Sequence, residues 1–160
     1  MLPGSRSRNI LPYIQPENPQ LLELLLELVA NFAKPQHPPA KARTIMSVCI
    51  GGYFLAAAGV LDGLTAITHR LATKGLQTAC EEYTTRTPDS KGTKILPENP
   101  SVPVPYCDAG INEFGVRVIT TGAVTNELDG ALHYVARRLG RPVAVDVAGL
   151  IGHNWRELKT

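Results

Sequence analysis

The chain has 160 residues, 44% of them hydrophobic and 19% charged, which is the make-up of one ordinary globular domain with room for a substantial core. Sixteen basic against 14 acidic residues leave a net charge of +2. With no long run of one sign, the electrostatic footprint of a nucleic-acid binder is missing. The three cysteines, Cys49, Cys80 and Cys107, form no CxxC and follow no secretory leader, so a reducing cytoplasm is the expectation. Together with His37, His69, His133 and His153 they show no zinc spacing, and neither a metal nor a cofactor is expected.

In chain order, residues 1–9 read as a loop by composition. Asn18-Pro19 then opens a helix, with Asn18 as N-cap and Pro19 at the first helical position. Its apolar stripe is Leu21, Leu22, Leu25, Leu28, Val29 and Phe32, and the proline-rich residues 35–39 end it. Arg43 to Val48 is β-branched and apolar, as a buried strand requires. The 18 residues from Thr44 to Leu61 carry no charge, but Ser47, Gly51, Gly52 and Gly59 interrupt them, and a buried strand–turn–helix fits better than a membrane span. The helix is Tyr53 to Ala58, stopped by Gly59.

Leu61-Asp62-Gly63 makes a turn, with Asp62 as a turn residue, and Thr65 to His69 is a short extended piece. Leu71 to Glu82 reads as a helix, and 83–101 as a long polar loop insertion. Val102 to Tyr106 contains two prolines and suits only an edge strand. Gly115 to Thr120 alternates as a better strand. A helix follows, capped by Thr125, carrying Leu128, Leu132, Val135, Ala136 and Leu139 on one face and closed by Gly140. A last helix begins near Pro142 with Val143, Val147 and Leu150. Strands alternating with helices give an α/β class.

The stretch Ser47-Val48-Cys49-Ile50-Gly51-Gly52 carries the clearest chemistry. A cysteine on a sharp strand-to-helix turn sits as a nucleophile does, with glycines permitting the tight backbone and the helix N-terminus lowering the thiol. The plainer alternative is a small buried cysteine in a core strand. A structural histidine at a strand end is the plainer reading of His69, and a backbone-orienting role that of Asp129. Cys80 and Cys107 read as spectators.

Several phrases, in order, resemble the ThiJ/PfpI group of class I glutamine amidotransferase-like proteins, closest to its isonitrile hydratase-like branch. They are Ser-Val-Cys-Ile-Gly at 47–51, Leu-Ala-Ala-Ala-Gly-Val-Leu-Asp-Gly at 55–63 and Thr-Ala-Ile-Thr-His at 65–69. Cys-Asp-Ala-Gly at 107–110, Val-Ile-Thr-Thr-Gly-Ala-Val-Thr at 118–125 and Asp-Gly-Ala-Leu at 129–132 follow, while Leu2-Pro3-Gly4 is similar to the family's glycine loop. The resemblance implies a flavodoxin-like sandwich over 1–160, with Cys49 as nucleophile. It implies an oxyanion-type pocket from backbone near Gly4, Ser5, Ile50 and Gly51, and walls from His69, Thr120 and Thr121. It also implies a small-molecule substrate and a homodimer.

Two departures stand beside it. Ile50 follows the cysteine where the branch usually has Thr, and an alkyl group neither donates nor accepts a proton. The family's acidic partner lies on strands that would precede Met1, so the chain reads as shortened at its N-terminus, with the edge beside the Cys49 strand open to pairing. Two functions therefore compete. One is a cysteine-dependent hydratase or hydrolase with a low-pKa thiol; the other is a non-catalytic relative that binds a ligand, senses redox state or dimerises.

Overall fold

The computed structural model describes residues 19–33, 43–96 and 104–158; the sequence readings at 1–18, including Gly4 and Ser5, lie outside them. In order the elements are α1 (Pro19–Ala33), β1 (Arg43–Ser47), a 3₁₀ turn (Cys49–Gly51), α2 (Gly52–Ala57) and β2 (Thr65–Ala66). A second 3₁₀ turn (Arg70–Ala72), α3 (Thr73–Arg86), β3 (Lys94–Ile95), β4 (Tyr106–Ile111), β5 (Val116–Thr121), α4 (Asn126–Leu139) and α5 (Arg141–Leu150) complete them. The class is mixed α/β. No helix among the described residues is long and apolar enough to cross a membrane.

The main sheet runs β1-β5-β4. β1 and β5 are parallel, with Ile45 opposite Val118 and Ser47 opposite Thr120, while β4 returns antiparallel to β5 through the Asn112–Gly115 turn. The Asn112 side chain holds that turn, accepting from the Phe114 and Val116 N–H groups at 3.0 Å each. β2 and β3 form a separate parallel pair. Among the described residues β1 pairs only with β5. Ile45, Val116 and Val118 join Leu55, Leu61 and Leu76 in the principal core; Val116 and Val118 share one face of β5, and Arg117 between them points to the other and pairs with Asp108.

Helix faces depart from the periodicity. On α1, Val29 and Ala33 are buried while Leu28 and Phe32 are exposed, because the inward side runs through Leu22, Leu25 and Leu26 instead. On α4, Leu132 is buried but Leu128 and Leu139 face outward; Thr125 sits at the N-cap position without a capping side-chain bond. On α5 the small Ala144 and Ala148 are buried against α4, turning Val143 and Leu150 out. Four-residue spacing lets two helices meet along a ridge, and alanine allows the closer approach.

The long loop expected at 83–101 is shorter. α3 continues to Arg86, and Lys94–Ile95 pairs with Thr65–Ala66. Asp62 causes this: its carboxylate accepts from Ser90 Oγ (2.6 Å), Lys91 N (3.1 Å) and Gly92 N (2.8 Å), pinning the polar stretch to the turn after α2. Burial alone would raise this carboxyl, but those hydrogen bonds hold it below the ordinary carboxylate value. Of the strand expected at Val102 to Tyr106, positions 102–103 lie outside the described residues; β4 begins at Tyr106, and Pro105 before it offers no N–H while its carbonyl accepts from Gly122 N. Gly59 ends α2 at φ +74°, where a Cβ would come within 2.4 Å of the Tyr83 ring.

Two buried polar clusters fasten the sheet and the tail. Asp108 accepts from Arg117 at 2.7 and 2.8 Å and from Gly110 N at 3.0 Å, and pairs with His133 Nε2 at 2.7 Å; Tyr106 Oη lies 3.3 Å from His133 Nδ1. Asp129, fully buried, meets His153 Nε2 at 2.9 Å and accepts from Arg156 N, Nε and Nη2, while Trp155 donates to its carbonyl. Burial pushes Asp108 up, but the bonds from His133, Arg117 and Gly110 outweigh it and hold the carboxyl far below its ordinary value.

A carboxyl depressed in the folded state stabilises the fold above its unfolded pKa of about 3.9, and that contribution is lost as pH falls toward the folded value. Acid unfolding followed by circular dichroism should therefore show stability declining below about pH 4. Asp108→Asn should be less stable at neutral pH and should flatten that decline; an unchanged acid limb would refute the assignment.

Candidate active site

β1 delivers an extended Val48 (φ −107°, ψ 125°) directly to Cys49, whose φ is +53°. Cys49 is the one non-glycine residue with positive φ among those described. A left-handed β-carbon crowds the following carbonyl and costs about 1–2 kcal/mol. The chain then enters the 3₁₀ turn, with Gly51 N donating to Val48 O at 2.8 Å, and passes into α2 at Gly52. A Cβ at Gly52 would meet only ordinary van der Waals contacts, 3.6 Å from Leu76 and 3.7 Å from the Ser47 hydroxyl. That hydroxyl is fully buried and makes no hydrogen bond among the described residues. Val48 is thus the bend into the elbow, and the strand itself stops at Ser47.

The elbow is fixed from three sides. Thr68 Oγ1 donates to Cys49 O at 2.8 Å. Thr121 Oγ1 donates to Ser47 O at 3.1 Å, and Ile67 N donates to Thr120 Oγ1 at 2.9 Å. Both threonines are fully buried with their hydroxyls committed, so they support the elbow from beneath and do not form an open pocket wall. Ile50 is buried with Phe54 and Ala72, and Leu22, Leu25 and Leu26 of α1 pack against the same cluster beside Cys49 and Tyr53. Its side chain is core, and its backbone N–H favours the ionised form of the Cys49 thiol.

Electrostatics differ from the sequence expectation of a low-pKa thiol. Burial pushes Cys49 above the ordinary thiol value; the Ile50 N–H works the other way, and the negative charge of Glu127 adds to the rise. The short α2, only six residues, does not outweigh burial. Tyr53 is likewise raised, by burial first and then by Cys49, and its hydroxyl donates to Ala72 O at 2.9 Å. His69 accepts from Leu71 N at Nδ1 (3.2 Å) and caps the second 3₁₀ turn; no hydrogen bond joins it to Cys49 among the described residues. Cys80 is buried, and burial pushes Cys107, on β4, up to about 11.

A small cleft of about 20 Å³ opens next to the elbow, between Ile67, Thr68 and Thr73 on one side and Gly122, Ala123 and Asn126 on the other. It has room for one water-sized group. A wider groove of about 480 Å³ lies along α3 and the β3 segment, lined by Gln77, Glu81, Thr85 and Thr93, and includes none of the residues expected at the site. Among the described residues no group of three or more His, Cys, Asp or Glu side chains could hold a metal ion.

Sequence reasoning missed Glu127 and Thr68. Glu127 sits in the first turn of α4, directly after the strand that pairs with β1. That pairing was the available signal, because parallel neighbours carry their following turns to the same sheet end. No family model matches this chain, and no curated protein matches it significantly.

The strain at Cys49 is directly measurable. Glycine relieves left-handed strain that alanine retains, so Cys49→Gly should be more stable than Cys49→Ala by about 1 kcal/mol in urea unfolding. Equal stabilities, or a more stable alanine variant, would show that the backbone there is unstrained.

Proposed function

We propose that this chain is a cysteine-dependent, small-molecule hydratase or hydrolase of the ThiJ/PfpI type, with a flavodoxin-like architecture and Cys49 as its nucleophile. The observation that carries the reading is the left-handed backbone of Cys49 between β1 and α2. Strain of that kind persists only where surrounding structure holds it, and it gathers at reactive positions. The named reaction is hydration of an isonitrile, R–NC + H₂O → R–NH–CHO.

In that reaction the thiol sulfur bonds to the terminal isonitrile carbon, and the thiol proton is transferred to the same carbon, giving a thioimidate. Water then adds to this carbon, the nitrogen gains a proton, and the C–S bond breaks as the formamide leaves. The remaining water proton restores the thiol. The Ile50 N–H, which favours the thiolate, stabilises negative charge on the sulfur as it develops. Cytoplasmic residence and a homodimer belong to the same proposal, as do contributions to the pocket from Gly4, Ser5, Gly51 and His69.

One observation favours a second reading. Burial raises the Cys49 thiol, and no histidine bonds it among the described residues, as a non-catalytic relative serving ligand binding, redox sensing or dimerisation would have it. Turnover decides between them. Purified protein incubated with a simple aliphatic isonitrile should yield the N-substituted formamide by proton NMR, and Cys49→Ala should lose that activity by roughly a thousand-fold or more. Equal rates in the two proteins would overturn the nucleophile assignment.

A further inference from the structure

The groove along α3 and β3 lies outside the Cys49 site and has a binding chemistry of its own. We infer that it receives an extended peptide segment, which pairs with the open edge of β3 and sets a lysine side chain against Glu81.

The edge comes from the register of the small sheet. Thr65 lies opposite Lys94 and Ala66 opposite Ile95 in the parallel pair. The Lys94 and Leu96 N–H groups donate to Leu64 O (2.9 Å) and Ala66 O (3.0 Å). Alternate residues of a parallel strand bond the same neighbour, so Ile95 between them turns its N–H and C=O to the far side. Among the described residues no strand takes that side, because the small sheet consists of β2 and β3. An unpaired edge is a template for a further strand. The groove is bordered by Gly92, Thr93 and Ile95, and its volume of about 480 Å³ falls within the range of ligand pockets.

The polar lining is rich in acceptors. Thr84 Oγ1 donates to Cys80 O (3.1 Å), Thr85 Oγ1 to Glu81 O (2.9 Å) and Thr93 Oγ1 to Leu61 O (2.9 Å). With each hydroxyl proton spent inside the protein, these groups keep only lone pairs for a ligand. Gln77 Nε2 donates to Glu81 Oε1 at 2.9 Å, which orients that carboxylate. Glu81 is the one charged group among the described residues that line the groove. Lys94 is exposed and falls between Thr93 and Ile95, so it takes the opposite face of β3. An ammonium, which has three donors and no acceptor, complements such a lining. Half-buried Ile95 and buried Cys80 supply an apolar floor for the methylene stem of a lysine. A free amine would satisfy the lining but leave the Ile95 edge unpaired, and this favours a peptide.

The test follows backbone amides by NMR as acetyl-Val-Lys-Val-amide is added to the full chain. The Ile95 and Glu81 amide signals should shift together and saturate. Glu81→Gln should weaken binding by about five-fold, the upper end for loss of an exposed ion pair. Replacing the peptide's lysine with norleucine should cost the same. Both changes together should cost no more than either alone, since each removes the same interaction. Thr85→Lys, at an exposed position, brings a like charge into the groove and should also weaken binding. That variant serves if Glu81→Gln does not fold.

An Ile95 signal unmoved at millimolar peptide, or equal affinity in Glu81→Gln and the parent, would overturn the inference. Spermidine is the control for a free amine. If it shifts Glu81 as strongly as the peptide does, and the peptide leaves Ile95 unmoved, the groove reads an amine without a strand and the inference fails.

Discussion

The parallel pairing of β1 with β5 is the constraint on which the rest of the structure depends. Its register sets Ser47 beside Thr120, so the two chains leave the sheet side by side and must turn in the same small space. One turn carries Cys49 in a left-handed conformation, and the other leads into α4 with Glu127 in its first turn. Hydrogen bonds from Thr121 to the Ser47 carbonyl and from Ile67 to the Thr120 hydroxyl stitch the two ends together below the elbow. Thr68 closes it from above by bonding the Cys49 carbonyl. Each of these ties spans at least 19 positions of sequence, so the elbow is held by tertiary contacts and not by local preference.

Burial cuts two ways at this site. It brings Cys49 into contact with the apolar cluster of Ile50, Phe54 and Ala72, which limits water around the sulfur. It also opposes ionisation, and here it outweighs the Ile50 N–H. A thiol in such surroundings stays protonated at neutral pH and becomes a nucleophile only when its proton has somewhere to go. Any chemistry at Cys49 is therefore conditional on a group that takes this proton.

Much of the main-sheet half of the fold was legible in the residues. The β-branched run at 43–48, the stop at Gly59, the alternation at 115–120 and the helix closed by Gly140 all have local physical causes, and the structure places elements there. What escaped was non-local. Nothing within the sequence of 83–101 announces that Asp62 pins it. The faces of α1 and α5 depend on what they pack against, and Ala144 and Ala148 are silent in a reading that weights large apolar residues. At the site, Cys49 and its turn were visible because glycines and a strand–helix switch mark them. Thr120 and Thr121 were placed at the correct strand end, but their hydroxyls proved committed to backbone. Glu127 went unnoticed because an acidic residue in a first helical turn is ordinarily explained by the helix dipole alone.

The most direct measurement is the order in which the three cysteines react with iodoacetamide in the folded protein at about pH 9, resolved by peptide mass spectrometry. Cys49 should be alkylated first, ahead of the buried Cys80 and of Cys107, whose thiol is pushed up to about 11. Cys49 reacting no faster than Cys80, or only after unfolding, would contradict an accessible, reactive thiol at the elbow and with it the central claim.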